Sequence, residues 1–368
     1  MRRGTIFIIL FLIIAAVVVG ASQFLRSLPA TEVTIAVSPL AERWVRAAAE
    51  SFNATNPLVN STQPIQIRIE VIDDPLVWQD GTRPWTAQSH PDGWLPALSA
   101  SVNYAVEARL PIAQVQPTTA RTLLVWGIFN SRATAAGANV APLDWEQVQS
   151  VAATGRWDQL PGGQASWGFV KLVFGDPARS AGGLGVLVSG AAAHADDADV
   201  SANALLNSEF QAWMRPVLDS VPNFNTIGAD PAAALTRGPS AGEIALLPES
   251  QWLTNLSGIA NREAMTFSYP AYTLTFDFPL TQWTDTTTTD AERQGVRLFG
   301  DWLLSNAQQQ AAFTYGLRPV ELLVDTQATL FTAGVGAGIQ INPPATQAIT
   351  LPDRNTLLRL LSWVGSVR

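Results

Sequence analysis

Short apolar segments alternate with amphipathic segments along most of this chain, and this alternation restricts the possible folds more than any other feature. Residues 33–37 are typical of a buried strand, and residues 44–52 carry apolar side chains at helical spacing. Residues 65–71 alternate apolar with polar side chains, which predicts a strand with one polar face. Ser38 and Pro39 follow the first strand and are typical N-cap and first-position residues of a helix. The order strand, helix, strand predicts a parallel pair of strands.

The same alternation continues toward the C-terminus. We predict further strands at residues 122–129, 168–174, 243–247 and 272–278, and further helices from residue 142 and at residues 180–193, 296–304 and 307–315. Strands that alternate with helices predict an α/β fold with mostly parallel sheets. Because 368 residues exceed one ordinary core, we expect two lobes. In such folds ligands bind at the carboxyl ends of strands, so the loops that follow them are the first candidate sites.

The composition argues against several classes of function. The formal net charge is -8, whereas a nucleic-acid partner requires a basic face. The chain has no cysteine, which excludes disulfides, thiolate metal sites and cysteine nucleophiles. The only two histidines, His90 and His194, do not have metal-ligand spacing. We therefore expect no catalytic residue, no metal, no cofactor and no nucleic-acid partner.

The N-terminus carries a separate signal. Arg2 and Arg3 precede an uncharged, apolar run from Thr5 to Leu25, and about 20 such residues span a bilayer. We favour a membrane anchor at residues 1–30, because this run is longer than the core of a typical signal peptide. A cleaved signal peptide is the alternative, since residues 18–21 offer small side chains at a suitable cleavage position. Both interpretations place the rest of the chain outside the cytoplasm.

Four segments carry motifs in a fixed order. They are the strand, Ser-Pro and helix at residues 33–52; PDGWLPALS at 91–99, similar to P-x-x-W-x-P; FGDPARSAGGL at 174–184, similar to D-P-x-x-S-x-x-G; and LLSNAQ at 303–308 with YGLRP at 315–319, similar to L-L-S-x-x-x-Q and G-x-R-P. Together they resemble the extracellular solute-binding proteins of the type II periplasmic binding protein fold, in particular those related to molybdate-binding proteins.

The resemblance implies two α/β lobes that are joined by two crossing strands and close on a ligand like a hinge. It divides the chain into a first lobe at residues 31–125, a second lobe at 126–274 and a return to the first lobe at 275–368. It also implies a small solute as ligand and an ABC permease as membrane partner. We expect the protein to be a monomer.

Two loops are the leading candidates for the ligand site. The hydroxyl of Ser38 and the N–H groups beyond Pro39 can hold a polar ligand, or Ser38 simply caps its own helix. In the second loop Gly182 lets a ligand approach the backbone, Ser180 can donate a hydrogen bond and Arg179 can neutralise an anion. The alternative for the second loop is a capped turn with a solvated arginine.

Four further residues are weaker candidates. Trp94 can offer a stacking face or belong to the core. Ser99 precedes a predicted helix, and Glu249 follows a second-lobe strand, where it can meet a ligand or cap a helix. Tyr272 can close over the ligand or pack in the hinge. The sequence leaves the ligand open among an oxyanion, a sugar and other polar solutes.

The leading hypothesis is a membrane-tethered receptor that captures a small solute in a cleft between the lobes. A surface adhesion or signalling module that keeps the fold without transport is the alternative, and the absence of a lipid-anchor cysteine fits it. A hydrolase has the least support, because no nucleophile and base can be paired.

Overall fold

The computed structural model describes residues 7, 10–15, 29–82, 84–228, 230–321, 329–342 and 345–367. Most of the predicted N-terminal anchor, including residues 16–28, lies outside these ranges. No helix within them has both the length and the apolar character needed to cross a bilayer.

The described strands and helices are interspersed along the chain, and the predicted alternation holds only in part, because runs of consecutive helices and of consecutive strands interrupt it. The strands are Thr31–Val37 (β1), Leu58–Val59 (β2), Gln63–Val71 (β3), Gly93–Leu95 (β4), Ile112–Gln116 (β5), Thr122–Phe129 (β6), Leu172–Val173 (β7), Ile244–Pro248 (β8), Met265–Ser268 (β9), Tyr272–Thr273 (β10), Thr275–Phe276 (β11), Leu280–Trp283 (β12) and Gln347–Ala348 (β13). The α-helices are Glu42–Ala54 (α1), Asp74–Trp78 (α2), Ser99–Glu107 (α3), Asn130–Ala133 (α4), Trp145–Thr154 (α5), Ala181–Ala195 (α6), Ala202–Leu206 (α7), Ser208–Asp219 (α8), Phe224–Ile227 (α9), Pro231–Leu235 (α10), Glu249–Ala260 (α11), Asp290–Leu303 (α12), Asn306–Phe313 (α13), Thr329–Val335 (α14) and Arg354–Ser366 (α15).

The first sheet has the strand order β2-β3-β1-β4-β12-β5. β1 pairs in parallel with β3 and with β4, so the parallel pair predicted for the opening of the chain is confirmed. β12 pairs antiparallel with β4 and β5. α1 and α12 cover this sheet, and the rings of Phe52 and Phe299 meet between them with centroids 5.6 Å apart.

The second sheet has the strand order β11-β6-β8-β7, and β9 also pairs with β6. Only β7 and β8 pair in parallel, whereas β6 pairs antiparallel with β8, β9 and β11. The prediction of mostly parallel sheets is therefore wrong for both sheets, because in the first sheet β2 also pairs antiparallel with β3 and only the pairings of β1 with β3 and β4 are parallel. In the second sheet the physical reason is that β6 enters from the first sheet and β11 leads back to it, so a β-α-β crossover does not set their direction.

Two passages, residues 117–121 and 277–279, connect the two sheets. They lie side by side, because the Thr119 amide donates to the carbonyl oxygen of Phe278 at 3.1 Å and its hydroxyl donates to the same oxygen at 2.7 Å. The Asp277 amide donates to the carbonyl oxygen of Ala97 at 2.9 Å, which fixes the return passage to the first sheet.

The C-terminal helices contact both halves of the molecule. α12 and α13 pack on α1, whereas α14 packs on α11 and α15 packs on α7. Arg354 also donates to the carbonyl oxygen of Trp78 at 2.8 Å. The predicted lobe boundaries, 31–125 and 275–368 against 126–274, stay a prediction.

Candidate functional site

A small cavity lies between the first sheet and the elements of the second sheet. Its volume is about 20 Å³, which is room for roughly one water molecule. We term it the inner cavity. It is lined by Ser38, Pro39, Leu40, Asp73, Gly175, Ser180, Ala181, Gly182, Pro231, Leu247, Pro248 and Gln251. The residues come from the carboxyl ends of β1, β3 and β8 and from the loops and helices that follow β7 and β8.

A larger cavity of about 170 Å³ adjoins it, and we term this space the outer cavity. The two cavities share Pro39, Leu40 and Gln251. The outer cavity is further lined by Glu42, Arg43, Trp44, Asp230, Ser250, Thr254, Tyr315 and Leu317. Both cavities are therefore parts of one cleft between the two halves of the molecule.

Ser38 faces the inner cavity with a hydroxyl that the fold leaves unused. Its amide donates to Leu95 at 2.8 Å, and its carbonyl oxygen accepts from Ala41 at 3.0 Å. The prediction that α1 starts at Ser38 is wrong, because α1 begins at Glu42 with Ala41 at the N-cap. The Ser38 Oγ atom is buried and has no hydrogen-bond partner in the described part of the chain. Burying a hydroxyl in this way is unfavourable unless a ligand or water satisfies it.

Ser180 faces the same cavity but already serves the fold. Its Oγ accepts a hydrogen bond from the amide of Gly183 at 3.0 Å and thereby caps α6. Gly175 and Gly183 permit this turn, because a Cβ atom on Gly183 would lie 2.2 Å from the Gly175 carbonyl oxygen. The hydroxyl proton of Ser180 is still able to donate.

Within the described ranges, Asp73 is the only charged residue that lines the inner cavity. It follows β3 and occupies the N-cap position of α2, but its side chain does not cap that helix. Burial raises the pKa of Asp73 to about 6; the charge of Arg179 lowers this pKa and that of Asp176 raises it. Asp73 was not among the predicted ligand-binding residues, since the adjacent pair Asp73 and Asp74 offers no acid/base geometry, although the rule that ligands gather at carboxyl ends of strands points to it.

Asp74 stands next to Asp73 but turns into the protein. Its Oδ2 atom accepts from the amide of Ala97 at 2.8 Å, and burial raises its pKa to about 7. Its Oδ1 atom is buried without a hydrogen-bond partner among the described residues. This carboxyl group supports the loop that follows β4.

The other candidates from the two leading loops separate into two groups. Pro39 lines both cavities and Gly182 lines the inner one. A Cβ atom on Gly182 would lie 3.5 Å from Pro248, which is ordinary contact. Arg179 is exposed and lines neither cavity.

The four weaker candidates lie away from the inner cavity. Trp94 is 1% exposed and belongs to the core, so it offers no stacking face. Ser99 donates from its amide and its hydroxyl to Asp277, beside the passages between the sheets. Tyr272 lies in a separate groove of the second half, where its hydroxyl donates to Asp196 at 2.8 Å.

Glu249 is fully buried and forms a bidentate ion pair with Arg318, with distances of 2.6 and 2.7 Å. Its carboxylate also accepts from the hydroxyl of Tyr269. Arg318 donates in addition to the carbonyl oxygens of Gln340 and Ile341, each at 2.6 Å. Glu249 therefore anchors the start of α11 and does not line the inner cavity.

In the described ranges, no group of three or more His, Asp or Glu residues is placed to hold a metal ion. The inner cavity accordingly offers hydroxyl groups, one carboxylate, one side-chain amide and apolar walls. The outer cavity adds the charged side chains of Glu42, Arg43 and Asp230.

Comparison with known proteins gives no sequence relative but a clear fold. No protein-family model matches the chain, and no curated protein matches it in sequence. A periplasmic thiamin binding protein superposes with a TM-score of 0.60 at 11% identity, over 92% of this chain and 96% of that one. A Streptococcus pneumoniae solute-binding protein in complex with the blood group A-trisaccharide gives 0.58 at 12% identity, over 92% and 95%. An ABC substrate-binding protein from Listeria monocytogenes in complex with cycloalternan gives 0.54 at 9% identity, over 92% and 95%.

This chain therefore has the type II periplasmic binding protein fold, and the resemblance seen in its sequence motifs is confirmed at the level of the fold. The proteins that share the fold are named as binding proteins. The closer likeness to molybdate-binding proteins stays a prediction.

Proposed function

We propose that this chain is an extracellular receptor that captures a small solute in the cleft between its two lobes and delivers it to an ABC-type importer. The observation that carries the proposal is the buried, unpartnered hydroxyl of Ser38 in the wall of a cavity between the two sheets. Burying such an atom without a partner is unfavourable, and a polar ligand that hydrogen-bonds to it removes this cost. The structurally similar ABC substrate-binding protein supports the importer as partner.

The receptor works by opening and closing about the passages at 117–121 and 277–279. The inner cavity, at about 20 Å³, is too small for an organic solute to enter unless the walls separate. A solute that contacts both walls stabilises the closed arrangement, since those contacts exist only there. In this proposal residues 31–125 and 275–368 move against residues 126–274, and the protein is a monomer that residues 1–30 tether to the membrane.

Single-molecule energy transfer tests this proposal directly. The chain has no cysteine, so Glu50→Cys and Glu209→Cys, both at exposed positions, place one dye on each lobe. With full-length protein and a panel of oxyanions, sugars, amino acids and polyamines, we expect one class to narrow the distance distribution and raise the melting temperature. A control pair on the first lobe, Glu50→Cys with Glu107→Cys, should not respond. Solute-independent distances together with specific binding of a protein partner would contradict the receptor and support an adhesion or signalling module.

A further inference from the structure

The inner cavity has the size and chemistry of a site for a single cationic group. We propose that the solute carries a compact ammonium group, which binds between the carboxylate of Asp73 and the hydroxyls of Ser38 and Ser180, while the rest of the solute occupies the outer cavity. This inference rests on the proposed function, because it identifies the class of solute that the same cleft binds.

Charge is the first argument. Among the described residues, Asp73 is the only charged one that lines the inner cavity, and it is half-buried with a side chain that does not cap α2. A carboxylate that is withdrawn from water without a partner is unfavourable, and an ammonium group is the partner that offsets this cost. The nearby Arg179 lowers the pKa of Asp73 but is exposed and does not line the cavity.

Hydrogen bonding is the second argument. An ammonium group has three N–H donors and no acceptor. The cavity wall offers it a carboxylate oxygen of Asp73, the unpartnered Oγ of Ser38 and the second lone pair of the Ser180 Oγ. The buried hydroxyl of Ser38, which the fold leaves unsatisfied, gains its partner in this arrangement.

Size is the third argument. An ammonium group occupies about the volume of a water molecule, and the inner cavity holds about 20 Å³. The organic part of the solute has room in the outer cavity of about 170 Å³, where Trp44, Tyr315 and Leu317 provide apolar surface.

The N-terminus of α6 also faces the inner cavity and by itself favours an anion, with a partial charge of about +0.5. The full negative charge of Asp73 lies in the same cavity and opposes an anion more strongly than the helix attracts it. The Gly183 amide is moreover already bonded to Ser180. The balance of charges therefore favours a cation.

The proposal has a pH signature. Burial raises the pKa of Asp73 to about 6, with Arg179 lowering it and Asp176 raising it, and the neighbouring Asp74 has a pKa of about 7 for the same reason. The ammonium group pairs with ionised Asp73. Affinity should therefore be full above pH 7 and fall by about tenfold per pH unit below pH 6, as the carboxylate is protonated.

Four solutes of similar length separate charge from shape: putrescine, 4-aminobutan-1-ol, 1,4-butanediol and succinate. With the full-length protein in detergent, calorimetry should show binding of both amines, binding of the diol that is at least about 100-fold weaker, and no binding of succinate. Asp73→Asn should weaken the amines by about 30-fold or more, and Ser38→Ala by about tenfold. Asp219→Asn, an equal charge change at an exposed position of α8, should leave their affinity unchanged.

Three results would overturn the ammonium site. The diol or succinate could bind as tightly as the amines, or only uncharged or anionic solutes could bind. The third result is an Asp73→Asn variant with the melting temperature of the parent and unchanged affinity for the amines. In each of these cases the distance between the lobes still shortens with the solute that binds, so the receptor function stands. Failure of every solute class to shorten that distance contradicts the receptor function itself.

Discussion

The two walls of the inner cavity carry similar polar residues in opposite states. On the first-sheet wall, the buried hydroxyl of Ser38 has no hydrogen-bond partner among the described residues, and Asp73 is half-buried with a side chain that does not cap its helix. On the second-sheet side, Ser180 caps α6, and Glu249, which follows the cavity-lining Pro248 but does not itself line the cavity, is held by Arg318. The position of a serine between a strand and a helix therefore does not by itself show that its hydroxyl is available to bind a ligand. The difference is that the polar groups of the second wall already have partners within the fold, whereas the hydroxyl of Ser38 on the first wall has none among the described residues.

The largest expected effect tests the claim that Glu249 belongs to the fold. Arg318→Met leaves a fully buried carboxylate without its counter-charge, so we expect a loss of about 3–5 kcal/mol in the free energy of unfolding. Denaturant titration of the full-length protein measures this. As a control, Arg68→Met breaks ion pairs of an arginine side chain that is 48% exposed, and it should cost less than about 1 kcal/mol. Equal losses in the two variants would mean that the buried pair of Glu249 and Arg318 stabilises the fold no more than an exposed ion pair.

The second prediction compares two glycines in the first turn of α6. Gly183→Ala drives a Cβ atom to within 2.2 Å of the Gly175 carbonyl oxygen, and we expect it to lower stability by about 1–3 kcal/mol. Gly182→Ala meets only ordinary contact, so it should not lower stability, but its methyl group should narrow the inner cavity and weaken solute binding. Thermal unfolding and calorimetry separate the two effects. A destabilised Gly182→Ala variant would show that this turn is tighter than the geometry indicates.

The smallest effect compares the two serines. Ser180→Ala removes the cap of α6 and should lower stability by about 1 kcal/mol. Ser38→Ala removes a buried hydroxyl without a described partner, so stability should stay the same or rise slightly while solute binding weakens. The same denaturant titration measures both variants. Equal destabilisation by the two substitutions would mean that Ser38 also has a role in folding.

Much of the local structure could be predicted from the sequence. The parallel pairing of the first strands, the helix over residues 181–195 and the placement of both serines beside one cavity follow from strand and helix patterns. α1 begins three residues later than predicted, because the turn after Ser38 satisfies the backbone groups without using the Ser38 hydroxyl. The antiparallel course of β6 could not be predicted, since its partners lie more than 100 residues away.

The sequence by itself determined that strands and helices exist and roughly where they lie, because these choices depend mostly on neighbours within a few residues, although the start of α1 was set by the turn after Ser38. Only the tertiary structure decided which polar groups have partners. Ser99 bonds to Asp277, which is 178 positions away in the sequence, and Glu249 pairs with Arg318, which is 69 positions away. A local sequence pattern therefore does not show that Ser99 and Glu249 already have partners within the fold. The burial of Trp94 in the core and the position of Asp73 at the inner cavity were likewise decided by the tertiary structure. Burial and electrostatic pairing depend on distance in space, and the fold alone sets that distance.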